Sequence, residues 1–409
     1  MFSPIKHQPM SSFIFAAALL GSAGASADPV CDWNAKLGEI VVTARMGPPP
    51  ANRAMAIAST AVYEAVNAIT MRYPARRLQL RAAPGASVEA AIAAANRTAL
   101  VKLLPSQQAA IESLYQAALA RIADAPAKAA GIAVGEQAAS AIVAMRADDG
   151  AAANEAYRPT TAPGVYVPTI VPAATHWPQR KPWLMSSASQ FRPGPPPALT
   201  SALWARDYNE VKELGGKSSA RRTPEQTRIA GFWEATLPPI FDGIVQSVAD
   251  VPGREITQNA RLLAAVAQAA DDALLAVFEA KYHYNFWRPV TAIRNGDADG
   301  NDATERDASW TPFIETPMHP EYPCAHCIQA ATVGTLLQAE LGRTPAPTFT
   351  TSSPTAIAGA RRWPSVEAFV LEVGNARVYD GVHFRTSTEV GIAMGRRIGA
   401  LAAERFLTD

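Results

Sequence analysis

The sequence has few of the features that mark nucleic-acid-binding or disulfide-framed proteins. Its 409 residues contain 37 basic and 36 acidic side chains and no polybasic run. Neither nucleic acid nor an acidic membrane surface is therefore expected as a main partner. Three cysteines are too few to frame a small disulfide-rich domain. Beyond residue 27 there is no long uncharged apolar segment, so stable membrane insertion is not expected.

Residues 1–27 have the pattern of a cleavable export signal. Lys6 is the one Lys or Arg before position 28, and the apolar run SSFIFAAALLGSAG follows it. Ala25-Ser26-Ala27 then has the small-residue spacing of a cleavage site. The sequence therefore predicts a periplasmic or secreted protein. In an oxidising compartment, three cysteines predict one disulfide and one leftover thiol, with the pairing left open.

Helical periodicity dominates the rest of the chain. Ala-rich amphipathic runs fill residues 28–149, and further helical patterns fill residues 198–409. Between them, residues 150–197 are rich in proline and predict a long irregular connection. The short alternation IVVTA, at 40–44, fits a helix better than a strand. The sequence thus predicts an all-α protein of paired helix bundles.

The segment KYHYNFWRP is the first of three that suit an oxyanion. Lys281 and Arg288 are seven residues apart, nearly two helical turns, so both are expected on one face at the end of a long helix. Pro289 is expected to stop that helix. The alternative is a pair of surface cations that complement the helix dipole.

The second segment, HPEYPCAHC, precedes an apolar helical run. Pro323 predicts an extended approach, and the free N–H groups at the following helix start suit an anion. His326 lies in the first turn, where it can give or take a proton. The alternative is a histidine that faces the core with a satisfied hydrogen bond.

The third segment is NARVYDGVHFRTSTEVG. Arg377 and His383 are six residues apart, and Gly381 between them lets the backbone turn. Thr386 and Glu389 have capping-box spacing and predict a helix start directly after His383. Arg385 projects from the same turn, and the alternative for it is a simple surface residue.

Together these segments predict an oxyanion cradle of three cations (Lys281, Arg288 and Arg377) and two histidines. The order K-x6-RP, P-x-x-H and R-x3-G-x-H resembles the vanadium haloperoxidase and type 2 phosphatidic acid phosphatase superfamily. The resemblance is strongest over residues 260–400, and it implies a helical fold of two packed four-helix bundles. The matching residues are Lys281, Arg288, Pro289, Pro323, His326, Arg377, Gly381 and His383.

The resemblance also implies a role for each matching side chain. The three cations would hold the oxygens of vanadate or phosphate. His383 would supply the axial nitrogen, either as a ligand to vanadium or as a nucleophile that becomes phosphohistidine. His326 would be the acid/base.

The chain departs from the family pattern at several positions. Cys324 and Ala325 stand at the serine and glycine positions that border the anion, and a thiolate there would repel it. Alanine is tolerated only if no positive φ is required. A Cys324–Cys327 disulfide would remove the thiol, whereas a thioredoxin-type redox centre or a zinc site fits the context less well. Ser387 replaces the aspartate that orients the histidine in many haloperoxidases, and Ala376 replaces a serine.

His319 stands where bromoperoxidase-like members have histidine and chloroperoxidase-like members have phenylalanine; the alternative is a loop histidine that is hydrogen-bonded to the backbone. The resemblance therefore implies hydrogen peroxide and bromide or iodide as substrates, with vanadate as cofactor. Two alternatives are a phosphomonoesterase without a metal cofactor, which acts on a phosphoester through His383, and a non-catalytic oxyanion binder. A homodimer is left open.

Overall fold

The computed structural model describes residues 28–235, 237–356 and 359–407, and it is almost entirely helical. The export signal predicted for residues 1–27 lies outside the described residues. The described helices are α1 (Pro29–Thr43), α2 (Pro48–Thr70), α3 (Val88–Leu103), α4 (Gln108–Leu119), α5 (Pro126–Met145), α6 (Ala202–Leu214), α7 (Pro224–Phe232), α8 (Asp242–Ala249), α9 (Ile256–Tyr284), α10 (Pro289–Arg294), α11 (Ala325–Leu341), α12 (Val366–Tyr379) and α13 (Arg385–Leu407).

One short antiparallel pair interrupts the helices. Strands β1 (Phe349–Ser352) and β2 (Ala360–Trp363) pair with Phe349 opposite Trp363. The predicted all-α class is confirmed, and the IVVTA segment lies within α1 as expected. No helix among the described residues combines the length and apolar character that crossing a membrane requires.

The helices form two groups that meet through α2 and α9. In the first group α2, α3 and α5 pack on one another, and α4 packs on α3. In the second group α11 packs on α9, α12 and α13. Alanine-rich faces make this close contact possible, because Ala combines high helix propensity with a small side chain. Both α2 and α9 are buried along most of their length.

The contact between α11 and α13 fixes the relation of two site-bearing segments. At Gly395 of α13, an added Cβ would lie 2.4 Å from the backbone oxygen of Ile328 and 2.8 Å from the Cβ of Ala331. Only glycine fits this close approach. The approach matters because α11 begins within the PCAH segment and α13 begins at Arg385, two residues after His383.

The proline-rich connection contains no α-helix among its described residues and is held down by buried charges. Arg180 donates to Asp271 at 2.7 Å and to Asp149 at 2.9 Å. Asp272 accepts the backbone N–H groups of residues 183, 184 and 185 at 2.7 to 3.0 Å. Further along, Val165 pairs with Phe286. The connection therefore packs on α9 and on the strand-like segment that follows it.

Candidate active site

Lys281 brings the first cation into the protein interior. It lies in the last turn of α9, is fully buried, and donates to the backbone oxygens of Pro320 (2.9 Å) and Glu321 (2.8 Å). Burial lowers its pKa well below the usual value, and the neighbouring Arg288 adds to this effect. A nearby anion would favour the charged ammonium.

Arg288 reaches the same place by a different route from the one expected. The prediction that it shares a helix face with Lys281 is wrong, because α9 ends at Tyr284 and Asn285 has a left-handed backbone (φ 49°). Arg288 itself is extended and serves as the N-cap of α10. Its Nε donates to the backbone oxygen of His319 at 2.9 Å and its Nη1 to that of Val382 at 2.8 Å.

Arg377 completes the three cations, from the last turn of α12. It is 1% exposed, and its Nη1 donates to the backbone oxygen of Trp233 and lies 2.8 Å from Asp380 Oδ2. Its buried Nε has no hydrogen-bond partner among the described residues. Asp380 was not predicted as part of the site, although its Arg-x-x-Asp spacing from Arg377 was a usable signal. One guanidinium N–H therefore remains available for an anion.

His383 is brought to the cations by a turn that requires glycine. Gly381 has φ 82°, and an added Cβ would lie 2.3 Å from the backbone oxygen of Gly215. The His383 N–H then bonds to the backbone oxygen of Arg377 at 3.1 Å. The imidazole Nε2 lies 3.4 Å from Arg288 Nη1. The predicted role of Gly381 in the turn is confirmed.

Glu321 holds the other side of this imidazole, and the sequence analysis did not identify it as a site residue. Its Oε1 accepts from His383 Nδ1 at 2.7 Å and from the Phe384 N–H at 3.0 Å. Ser387, the expected partner, lies farther away, with Oγ 3.4 Å from Nδ1. Burial raises the pKa of Glu321 to about 7, and burial with the adjacent cations lowers that of His383. The only sequence signal was an acid inside the HPEYPCAHC segment.

The PCAH departures are accommodated by the backbone. Cys324 and Cys327 form a disulfide, so no thiolate faces the anion site, and Cys31 is the leftover thiol. The sulfur of Cys324 caps α11 by accepting the Cys327 N–H at 3.1 Å. Ala325 is the first residue of α11 and is not among the residues with positive φ. Its extra methyl group therefore creates no backbone strain.

The two remaining histidines lie beside the cations. His326 Nε2 is 3.1 Å from the backbone oxygen of Ala235, so this nitrogen is the donor. His319 Nδ1 lies 2.9 Å from Arg288 Nη2 and 3.2 Å from the Pro320 oxygen. Burial is the main cause that lowers the pKa of both rings well below the ordinary value. The second cause is the positive charge of Arg377 for His326 and of Lys281 for His319. Both imidazoles are therefore neutral near pH 7.

The start of α13 differs from the capping box that was predicted. Thr386 lies inside the helix, and its backbone N–H is satisfied by Asp207 Oδ2 of α6 at 2.9 Å. A distant carboxylate replaces the local cap because α6 packs across this helix end. Arg385 pairs with Glu210 of the same α6 at 2.6 Å. Its side chain is thus used to dock α6, in keeping with a role outside the cradle.

The donor set suits an oxyanion. Three buried cations converge, and the described carboxylates that pair with the cradle, Glu321 and Asp380, are committed to His383 and Arg377. Burial is the first cause of the lowered pKa at Lys281, Arg288 and Arg377 alike. A tetrahedral or trigonal oxyanion would offset this cost and would accept the unpartnered Nε–H of Arg377. Vanadate and phosphate both fit this chemistry.

Fold and site therefore define an all-α protein with a buried oxyanion cradle. Comparisons with known proteins show which proteins it is similar to. Residues 261–408 match the family described as the VCPO second helical-bundle domain. A vanadium chloroperoxidase of Curvularia inaequalis is 26% identical over 172 residues. That match covers 34% of this chain and 28% of the fungal protein.

Solved structures extend the likeness in fold to most of the chain. A structure described as the first bacterial vanadium-dependent iodoperoxidase has a TM-score of 0.78 and 23% identity, covering 93% of this chain and 97% of its own. An apo-type bacterial vanadium-dependent chloroperoxidase has a TM-score of 0.73 and 17% identity, covering 88% and 94%. The family match thus covers the C-terminal part of the chain, residues 261–408, and the solved structures show the same fold over most of the chain.

Proposed function

We propose that this protein is an exported, vanadate-dependent haloperoxidase that oxidises a halide with hydrogen peroxide. The observation that supports this most directly is the arrangement around His383. Its Nδ1 is held by Glu321 at 2.7 Å, which leaves Nε2 on the side of Arg288. When bound, vanadate would supply the Lewis acid that activates hydrogen peroxide.

The chain's own residues would bind and orient this group. His383 Nε2 would be the nitrogen that holds the vanadium, because Nδ1 is already committed to Glu321. Lys281, Arg288 and Arg377 would hold the oxygens and neutralise their charge in a dry site, where fixed cations act most strongly. The disulfide-capped start of α11 adds the N-terminal end of a helix dipole.

His326 would handle the proton. Its Nε2–H is donated to a backbone carbonyl, so the unprotonated Nδ1 is the basic atom of the ring. Its lowered pKa keeps the ring neutral near pH 7. A neutral imidazole can take a proton from hydrogen peroxide and later return it to the oxygen that leaves.

His319 would set the halide preference, with bromide or iodide favoured over chloride. Its Nδ1 contacts Arg288, and its ring packs edge-on against Phe278 at 5.2 Å between centroids. The side chain is therefore part of the cationic wall of the cradle. A His319→Phe variant should shift the ratio of kcat/KM values from bromide and iodide toward chloride. An unchanged ratio would remove His319 from the halide site.

The activity is tested with purified protein in two parallel assays. Vanadate-loaded protein is given hydrogen peroxide, bromide and a phenolic dye, and the vanadate-free protein is given p-nitrophenyl phosphate. We expect halogenation that needs vanadate and is lost in His383→Ala. The matched control is His283→Ala, since His283 is an exposed histidine at the end of the same helix as Lys281. This variant should retain full activity.

The other outcomes discriminate between the alternatives. Hydrolysis without halogenation would overturn the proposal in favour of a phosphomonoesterase that uses His383 as nucleophile. Silence in both assays, with thermal stabilisation by vanadate or phosphate, would indicate an oxyanion binder without turnover. A fully active His383→Ala variant would overturn the assignment of the site itself.

A further inference from the structure

A cavity of about 480 Å³ lies apart from the oxyanion cradle and shares none of its residues. It is formed where α2, the loop after it, the proline-rich connection, the start of α9 and the end of α13 meet. Of the described residues that line it, four are arginines and none is acidic. The arginines are Arg76, Arg77, Arg261 and Arg405. The volume matches that of a small-molecule site.

Three of these guanidinium groups are fixed against aromatic rings. Arg76 lies 4.3 Å from the ring centre of Phe406, and Arg261 lies 4.1 Å from that of Tyr73. Arg77 lies 5.1 Å from the ring centre of Trp183. Arg77 is also held by donation to Gln268 Oε1 at 2.8 Å. Stacking orients the Arg76 guanidinium and leaves its N–H edges available to bind planar oxyanions. The cavity is thus held in shape before any ligand arrives.

Two carboxylates lie next to the cavity arginines, and each also has a partner outside the cavity. Glu64 accepts the backbone N–H groups of Arg77 and Leu78 at 3.3 and 3.2 Å. Glu340 bonds Arg254 at 2.9 Å and lies 3.7 Å from Arg261. Partial burial lowers the pKa of Arg76. Tyr63 and Glu64 oppose this shift, and the positive charges of Arg261 and Arg405 add to it. The cavity wall therefore carries an excess of positive charge.

An unpartnered hydroxyl group points independently to a ligand. Tyr63 lines the cavity and is 1% exposed, yet its buried hydroxyl has no hydrogen-bond partner among the described residues. Burial raises the pKa of this phenol to about 12, so it is a hydrogen-bond donor at neutral pH. Buried polar groups are nearly always paired, and an oxygen atom of a ligand would pair this one.

We propose that this cavity binds a small organic anion with at least two negative charges, either a polycarboxylate or an organic phosphate. The charged groups of the ligand would be held by Arg76 and Arg405, with Arg77 and Arg261 in the same cavity wall. The Tyr63 hydroxyl would donate to an oxygen atom of the ligand. Because elements from both ends of the chain line the cavity, such a ligand would also tie α2 to α9 and α13. The proposal is independent of the reaction at the oxyanion cradle.

The test is calorimetric titration of the purified full chain with citrate and with glycerol 3-phosphate. We expect the Arg76→Gln/Arg405→Gln double variant to weaken binding of the preferred ligand by about 30-fold or more. Tyr63→Phe keeps the ring packing and should weaken it by about 10-fold. The matched control is Arg397→Gln, which removes an exposed arginine that also stacks on a ring, 4.7 Å from Phe191. It should leave binding unchanged.

A second control separates this cavity from the cradle. The Arg377→Gln variant weakens the oxyanion cradle and should bind the organic anion as the wild type does. Preference for citrate would identify a polycarboxylate site and preference for glycerol 3-phosphate a phosphate site; both support the proposal. Binding that survives the double arginine substitution, or no heat with either ligand at millimolar concentration, would overturn it.

Discussion

Replacing Glu321 by glutamine tests whether this carboxylate controls the imidazole of His383. Glu321 is fully buried, and its Oε1 accepts from His383 Nδ1 at 2.7 Å and from the Phe384 N–H at 3.0 Å. Glutamine keeps the shape and an acceptor oxygen but removes the charge. The histidine then loses the negatively charged partner that makes Nε2 a stronger ligand.

The size of the effect follows from the kind of hydrogen bond that is lost. A buried charged bond stabilises by about 1.5–3 kcal/mol and a neutral one by about 0.5–1.5 kcal/mol. Because glutamine keeps a neutral hydrogen bond, we expect only the difference between the two to be lost, roughly 1.3 kcal/mol, or about 10-fold in Kd. Removing a negative charge also favours any anion, so the quantity to compare is the Kd for vanadate divided by the Kd for phosphate. The charge effect largely cancels in this ratio.

The assay is calorimetric titration with vanadate and with phosphate, without peroxide, at one pH well above the pKa of about 7 of Glu321, where this carboxylate is ionised. Glu321→Gln should raise the Kd ratio by about 10-fold. Ser387→Ala, which removes the more distant hydroxyl at 3.4 Å, should change it by no more than about threefold. An unchanged ratio in Glu321→Gln would refute the reasoning, as would an equal effect of the serine substitution.

Three further predictions concern stability. Because the pKa of folded His326 is lowered, only the unfolded chain binds a proton at this histidine as the pH falls below about 6.5, and this destabilises the wild type. Per pH unit of acidification, the unfolding free energy of His326→Gln should therefore fall by about 1.4 kcal/mol less than that of the wild type. Parallel pH profiles in urea unfolding would contradict this. Gly395→Ala should cost about 1–3 kcal/mol of unfolding free energy, whereas Gly231→Ala, with open space around the added Cβ, should be neutral or stabilising; equal Tm shifts would count against the α11–α13 contact. Cys324→Ser/Cys327→Ala should lower the unfolding free energy by about 2 kcal/mol, and the denatured, unreduced wild type should titrate as one thiol; three thiols would disprove the disulfide.

Much of the site was readable from residue types and order. Buried cations and histidines are uncommon, so three segments that combine Arg, Lys and His near helix ends carried a joint signal. The structure brings Lys281, Arg288, Arg377 and His383 together around one place, with His319 and His326 beside them. The prediction that was wrong concerned local backbone geometry. Arg288 does not continue the helix of Lys281, because Asn285 ends that helix through a left-handed residue.

The partners of the site residues were not readable in this way. Glu321 is an acid in a segment that also contains prolines and a tyrosine, and nothing local distinguishes it from a solvated acid. Asp380 offered a local signal only in its i,i+3 spacing from Arg377. Glu321 meets His383 across 62 positions of the chain. Likewise, Asp207 of α6 takes over the cap of α13 that Thr386 was expected to supply. Long-range packing decided each of these contacts.

The sequence by itself determined the helical class, through its periodicity, and the set of cations and histidines, through their types and spacing. These are local properties that each segment carries wherever it lies. The tertiary structure decided which carboxylate orients His383, whether Ala325 is strained, and that four arginines and the Tyr63 hydroxyl share one cavity. Such facts depend on how segments distant in the chain approach each other, and that approach is set by burial and close packing of whole helices.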